Sequence, residues 1–498
     1  MQLLKAAGCA GLLWSLMLPV RASDCVTGSR ETVVQINPAA LVRSEVPREL
    51  FGFNLPWWAF QVGLTKDGQV KLEVVEYLQP FAGALYRYPG GTPSNWFDWN
   101  MAMKASAQRT PILFDFNMYV TPQFGLPEFT QFLTQVNGRA ILTMNLVGPY
   151  LKPQSANIIS QNVLDIANYL KTGPLHCVSG KDCPIAYWEL GNELDWKPIY
   201  WSAKQYLAQS NAVVQNVSKV YPDLDWVANG KTAPWENKLS MSNEFDPLLA
   251  QGQVSQVKKV AFHPYYDGMS IPKSLDYLAE LKKVWSARGA DGKVLITEHA
   301  RWPSQPLIGK WEDRWYEGNS LGGALSSADF MLAIIPDPMV EASNWHALGV
   351  EGPWQLFRWN RQQNTVYPNP VYWGLRALRE ALLDKVVQTA YEGKVDGSYA
   401  GGYDLRLVAM RSADQSQRSL LGVNRSAKPV KLVLNWQDGK LATDSQWRVV
   451  TGKGEEDDNT DAAPRKVTMQ KNSLDKKDAG FVCVPPKSIF SVLQKVAG

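Results

Sequence analysis

The chain has no His-Glu-x-x-His segment, no Gly-x-x-x-x-Gly-Lys-Ser/Thr loop, no Gly-x-Ser-x-Gly elbow and no EF-hand calcium loop. These absences remove the common signatures of zinc hydrolysis, phosphate cradling, serine-nucleophile hydrolysis and calcium sensing, and leave chemistry without metal or cofactor as the expectation. Charge of one sign is missing too. The 498 residues carry a net charge of only +4 and no basic cluster interleaves with aromatics, so no nucleic-acid or polyphosphate partner is expected. Long apolar runs are equally scarce. The one that stands out, Ala6 to Val20, falls short of the roughly 20 residues a bilayer span needs. With Lys5 before it and Val20-Arg21-Ala22 after it, residues 1–22 read as a signal peptide cleaved near Ala22. The product would be secreted or periplasmic, with no membrane insertion after cleavage; the sequence carries no signal for an oligomeric state.

Cysteine is sparse. Beyond the leader only Cys25, Cys177, Cys183 and Cys483 remain, and an even number in an exported chain favours two disulfides over four free buried thiols. Cys177 with Cys183 would close a small loop, and the remaining pairing would tie Cys25 to Cys483.

Tryptophan, by contrast, is abundant. Twenty Trp residues suit stacking against sugar faces, although any single one is more simply explained by packing in the core or at a rim. At 45% hydrophobic and 20% charged, the chain is long enough for an α/β barrel of about 250 residues or more, with a further domain.

From Leu50, short β-rich runs alternate with helix-like segments, as in βα units closing on a parallel sheet. Eight runs qualify as strands: Leu50 to Leu55, Ala84 to Tyr88, Ala140 to Leu146, Ile185 to Leu190, Trp226 to Asn229, Lys259 to His263, Val294 to Thr297 and Met339 to Trp345. Apolar positions at helical spacing mark Leu126 to Val136, Ser160 to Lys171, Ala203 to Val220 and Pro272 to Ala287 between them. Aromatic and polar residues follow the strand ends, among them Trp58, Trp235, Tyr265 and Trp302, and Trp345 closes the eighth strand. They would gather on one rim and offer sugar-binding surfaces.

The organising stretch is Tyr187 to Trp196, in which an apolar strand stops on Asn192 and Glu193. A second acid, Glu298, ends the run Val294 to Glu298 about three βα units later. Carboxylates at the carboxyl ends of barrel strands sit where such barrels place their chemistry. Two of them point to glycoside hydrolysis. An alternative in which both acids are structural is disfavoured, because two such acids are costly without a task.

Gly-Asn-Glu (Gly191 to Glu193) and Thr-Glu-His (Thr297 to His299), with Arg-Tyr-Pro-Gly-Gly-Thr (Arg87 to Thr92) and His-Pro-Tyr (His263 to Tyr265), resemble clan A retaining glycoside hydrolases. The pattern is most similar to the α-L-arabinofuranosidases of family 51. Residues after Glu193 (Leu-Asp-Trp) and after Glu298 (His-Ala-Arg-Trp) depart from those enzymes, which leaves heparanase-like, xylosidase-like and endo-glycanase specificities as alternatives. A noncatalytic carbohydrate-binding protein on a degenerate barrel is the remaining reading.

The resemblance implies a secreted hydrolase of plant or microbial poly- and oligosaccharides, with Glu193 as acid/base and Glu298 as nucleophile, their carboxyls about 5 to 5.5 Å apart. It places Arg87 beside Glu298, Asn192 on the sugar 2-hydroxyl and Tyr265 on the nucleophile, with His263 just below. Asn145 would contact substrate or satisfy polar groups of the barrel. Glu189 would lie one layer deeper as a paired structural charge; Asp98 and Asp195 would bind sugar or cap loops; His176 would lie at the surface and His346 at the barrel rim. From about Leu382 alternation replaces helical spacing, through Leu405 to Met410, Leu420 to Asn424, Val430 to Trp436, Trp447 to Thr451, Lys466 to Met469 and Ser488 to Leu493. The expected architecture is therefore α/β: a (β/α)8 TIM barrel over residues 49–381 and a β-sandwich over 382–498. The resemblance implies that residues 23–48 join that sandwich through Thr32 to Ile36.

Overall fold

A computed structural model describes residues 25, 29–115, 117–230, 256–267, 271–287, 292–392, 404–474 and 480–496. The signal-peptide segment and Trp235 lie outside the described residues.

Eight parallel strands close a ring: β2 (Gly52–Asn54), β3 (Leu85–Tyr88), β4 (Arg139–Met144), β5 (Ile185–Leu190), β6 (Trp226–Asn229), β7 (Lys259–Ala261), β8 (Lys293–Trp302) and β9 (Val340–Trp345). They pair in chain order, and β9 returns to β2 to complete the barrel. Helices α1 (Leu72–Leu78), α2 (Leu126–Val136), α3 (Ala156–Thr172), α4 (Ala203–Ser218), α5 (Ile271–Ser286), α6 (Leu321–Ile334) and α7 (Pro370–Arg379) belong to the outer layer.

Strand side chains alternate between faces with a period of two, so one inward layer repeats around the ring. Leu85, Ile141, Tyr187, Val227, Ala261, Leu295 and Ala342 meet in a compact apolar layer inside it. Two residues further along the same strands stand Arg87, Thr143, Glu189, Asn229, His263, Thr297 and Asn344, all buried. A dry plug therefore carries a polar layer above it, and the strands end one or two residues later at the reactive rim.

The second region is a nine-stranded sheet built on β1 (Arg30–Arg43), β10 (Lys385–Ala390), β11 (Leu405–Arg411), β12 (Gln417–Asn424), β13 (Val430–Trp436), β14 (Ala442–Thr451), β15 (Met469–Ser473), β16 (Phe481–Val484) and β17 (Ser488–Val496). β1 enters it between β10 and β13, pairing antiparallel with the first and parallel with the second. Strands far apart in the sheet, β13 and β14, send Leu432, Trp436, Trp447 and Val449 to one apolar core, so the sheet folds over itself into a sandwich-like body. Its other face packs on α6 and α7, where Gly374 of α7 meets Ile489 closely.

Both disulfides are present, Cys177 with Cys183 and Cys25 with Cys483. Among the described residues no helix is long and apolar enough to cross a membrane. Within the nine-stranded sheet, β10 and β16 escaped the sequence reading and β15 starts at Met469 instead of Lys466; the hairpin of Phe357–Asn360 and Thr365–Pro368 escaped it as well.

Candidate active site

The rim gathers its chemistry around Arg87. From the end of β3 this buried guanidinium donates three ways: Nε to Glu189 Oε2 at 2.6 Å, Nη1 to Glu298 Oε1 at 2.7 Å and Nη2 to Asn192 Oδ1 at 2.7 Å. Glu189 also accepts from Thr143 at 2.7 Å and Thr297 at 2.9 Å, so neighbouring strands tie it in place one layer below the rim. Its carboxylate has no free face and serves as the fixed counter-charge expected of it.

Glu298 is 4% exposed and held from several sides. Tyr265 donates to its Oε2 at 2.7 Å and Asn54 to its Oε1 at 2.9 Å. The second amide hydrogen of Asn54 goes to Nδ1 of His346, 2.8 Å away, which fixes that imidazole as an acceptor there and hence neutral. Burial lowers the His346 pKa in the same sense. For Glu298, burial alone would favour the protonated form, but positive charge on His346 or His263 whenever either is protonated, the Arg87 guanidinium and the Tyr265 hydroxyl oppose it and hold the carboxyl below its ordinary range. With His346 neutral, Arg87 supplies the permanent charge. Burial and the two glutamates push the Tyr265 phenol upward, so it remains a donor.

Glu193 stands differently. Its backbone has φ 46°, left-handed and strained for a residue with a side chain, and it follows Gly191 at φ 81°. A Cβ at Gly191 would meet Leu194 Cδ1 at 2.5 Å, so glycine is needed there for conformation and packing as well as for any approach of ligand. Glu193 Oε1 lies 2.8 Å from Nδ1 of His263, whose Nε2 is 2.7 Å from the Thr297 hydroxyl. Since Thr297 gives its hydrogen to Glu189, it must accept from His263 Nε2–H, and Nδ1 of a neutral imidazole is then a lone pair. One proton is therefore shared between Glu193 and His263. Burial lowers the His263 pKa, yet the Glu298 charge and the hydrogen bond and charge of Glu193 outweigh it and raise the pKa above its ordinary value. The sequence reading put His263 beneath the nucleophile; it serves the other carboxylate.

Carboxylate oxygens of Glu193 and Glu298 and a ring nitrogen of His263 all lie within 4.8 Å of one another. Such a trio has the donor types of a metal site, but a guanidinium already occupies the Glu298 carboxylate and opposes a second cation. The separation instead matches two carboxylates acting on one bond from opposite sides, short of the roughly 6.5–9.5 Å that leaves room for a water between them.

Asn192 is wholly buried, its backbone clamped by Asn95 through N–H···Oδ1 at 3.0 Å and Nδ2–H···O at 2.6 Å, and its own Nδ2 has no acceptor among the described residues. Trp302 stands 5.4 Å edge-on from Tyr265 and stacks on Trp311 at 5.3 Å, with Trp354 4.7 Å from Tyr265 and 5.4 Å from His346. These rings wall the Glu298 side of the opening.

Other expected site residues are placed elsewhere. Asn145 accepts from the backbone of Val147 and Gly148 and donates to Phe97, so its amide holds loops together, the second of the two roles expected for it. Trp345 is buried and donates to Ser327 of α6; strand alternation turns it outward and leaves His346 beside the carboxylates. Trp58 packs on Phe114 at 4.5 Å. Asp98 caps a helical turn through Met101 N–H, Asp195 is buried, and His176 is exposed. The sequence reading missed Asn54 and Trp354. Asn54 had a signal, a lone amide in the apolar run Leu50 to Leu55, and Gly90 another: its φ is 60° and a Cβ there would strike Asn54 Oδ1 at 2.0 Å.

The sequence profile of the α-L-arabinofuranosidase 1 domain matches residues 77–269. The resemblance to family 51 holds. That arabinofuranosidase match takes in Arg87, Asn192, Glu193, His263 and Tyr265 and stops before Glu298, which the fold supplies. Among solved structures, the family 51 α-L-arabinofuranosidase of Bifidobacterium longum shares 16% identity over 94% of this chain and 100% of its own, with a TM-score of 0.77. The α-L-arabinofuranosidase of Thermotoga maritima, solved with arabinose, gives 16%, 94%, 100% and 0.76. A bifunctional glucanase-xylanase from a metagenome library gives 10%, 94%, 100% and 0.60, so the barrel with its β-domain is common to several specificities. No curated protein matches the chain.

Proposed function

We propose that this chain is a retaining, α-L-arabinofuranosidase-like glycoside hydrolase, exported and acting on carbohydrate chains. The reading rests on one observation above all: a carboxylate held ionised and a second one sharing a proton with a histidine, their oxygens within 4.8 Å. Glu298 attacks the anomeric carbon while Glu193 passes its proton to the departing glycosidic oxygen, leaving a sugar ester on Glu298. Glu193, now a carboxylate beside His263, takes a proton from water, whose oxygen displaces Glu298 and releases the sugar with its anomeric configuration retained. The pair of Glu193 and His263 gives up its shared proton in the first step and recovers it from water in the second. Tyr265, Asn54 and Arg87 hold the Glu298 oxygens in line, and the open Nδ2 of Asn192 suits a sugar hydroxyl acceptor.

The proposed division of labour has residues 49–381 carrying this chemistry and residues 23–48 with 382–498 forming the supporting β-domain. The nitrophenyl α-L-arabinofuranoside, β-xyloside, β-glucoside, β-glucuronide and β-galactoside form the deciding panel. Cleavage of the arabinofuranoside with the retained anomer in the first NMR spectra is the expected result. An inverted anomer would remove the nucleophile role of Glu298, and preference for another member of the panel would reassign the sugar.

A further inference from the structure

We propose a second saccharide-binding site on the outer flank of the barrel, where it meets the β-domain. A cavity of about 450 Å³ lies there, between Tyr77 on α1, the hairpin of Phe357–Asn360 and Thr365–Pro368, Trp373 on α7, and the stretch 461–469 that leads into β15. None of its lining residues belongs to the carboxylate cluster. Tyr77 and Trp373 stand on helices outside the barrel wall, whereas Glu193 and Glu298 sit at strand ends within it. The volume falls in the usual range of small-molecule sites, about 300–1,000 Å³, and suits one or two sugar units.

The walls select the ligand independently of the reaction proposed above. Tyr77, Tyr367 and Trp373 bring three aromatic side chains to the wall, apolar surface of the kind that meets the C–H side of a sugar ring. Asp461 is fixed through one oxygen by the Tyr367 hydroxyl at 2.8 Å, and its other oxygen has no hydrogen-bond partner among the described residues. Arg465, also on the wall, is exposed, and near enough to Tyr77 for its charge to act on the phenol. An anionic ligand would face Asp461, a cationic one would face Arg465, and an apolar one would strip water from both. A neutral polyol uses both groups, its hydroxyls donating to the carboxylate and its oxygens accepting from the guanidinium. Gln363 adds an amide of both kinds at the mouth. Because barrel and β-domain each supply part of the wall, a sugar bound here would hold a long chain to the enzyme while the carboxylates act on another stretch or branch of it, raising its local concentration.

The test is calorimetric titration of the intact chain carrying Glu298→Ala, with arabinotriose and with xylotriose, alongside the same protein also carrying Asp461→Ala and Arg465→Ala. Both added changes fall on exposed side chains. The expected result is that at least one trisaccharide loses one binding site in the triple variant while any binding at the catalytic cleft keeps its affinity. In the otherwise wild-type protein, Asp461→Ala with Arg465→Ala should leave cleavage of a small aryl glycoside unchanged. Equal site numbers and affinities with and without the two changes would overturn the proposal, as would displacement of the sugar by glucuronate or sulfate at this site. If the wild type cleaves no aryl glycoside at all, the reaction proposed above fails, and the loss of a site in the triple variant still stands.

Discussion

Two buried groups of acids and arginines hold this molecule together, with opposite balances. At the barrel rim a single arginine, Arg87, faces Glu189 and Glu298, with Glu193 close behind. Between the barrel and the β-domain Asp329 of α6 faces two arginines, Arg406 and Arg425, and its side chain is 0% exposed. In the second group both acid oxygens meet a guanidinium from the β-domain, so the group docks one region on the other. In the first, negative charge is in excess and two carboxylates face an opening from different strands. The comparison teaches that the balance of charge, more than burial or the mere presence of an ion pair, separates a reactive site from a joint.

The sharpest break of that comparison is Glu298→Ala. Without the attacking oxygen, every substrate should lose activity whatever its leaving group, by about 10⁴-fold or more in kcat. Equal loss on nitrophenyl and dinitrophenyl glycosides is the expected reading, and near-normal activity on either would remove Glu298 from the reaction. Glu193→Ala should lose about 10²–10⁴-fold on substrates that need protonation, while dinitrophenyl glycosides still glycosylate the enzyme. The sugar ester should then accumulate on Glu298, visible by mass spectrometry, with azide restoring turnover. A label on Glu189 or Asp195 would reverse the roles assigned here.

The joint should fail in the other currency. Asp329→Ala removes the acid that two buried arginines share and should cost about 3–5 kcal/mol of stability, read from urea unfolding, with activity per folded molecule within about twofold. A variant of full stability but low activity would make the joint part of the active site.

The smallest effect concerns pH. Burial, with the nearby His346, holds the His299 imidazole at about 3 against an ordinary 6.5, so unfolding releases a group that takes up a proton as pH falls through that window. Glu298, held at about 2 against 4.5, contributes stability above pH 4.5 that is lost on further acidification toward 2. Urea midpoints should therefore begin to fall near pH 6.5 and steepen below 4.5. His299→Phe should flatten the first arm and leave the second; an unchanged profile would mean that His299 is not neutral in the folded state.

Much of the barrel was legible because its information is local. Alternation marks strands, apolar spacing marks helices, and an acid at a strand end marks a rim, each within a dozen residues. What escaped depends on distant contacts. β10 reads weakly alone, because Val386 and Val387 become a strand through pairing with β1 and β11. Trp345 and His346 are neighbours in sequence, and only the strand's alternation at the barrel wall decides which one reaches the carboxylates. Asn145 looked available for substrate until the loop around Val147 folded back on its oxygen.

By itself, then, the sequence determined the eight-strand order, the pair Glu193 and Glu298, the arginine that attends one of them, and the four cysteines of the two disulfides, since each follows from residue type and short-range pattern. Tertiary structure alone decided that Asn54 holds Glu298, that His263 shares a proton with Glu193, and that a cavity opens between α1, α7 and the β-domain. The physical reason is that these relations join strands and helices far apart in the chain, and they come within hydrogen-bond reach only when β9 closes on β2 and the nine-stranded sheet docks on α6 and α7.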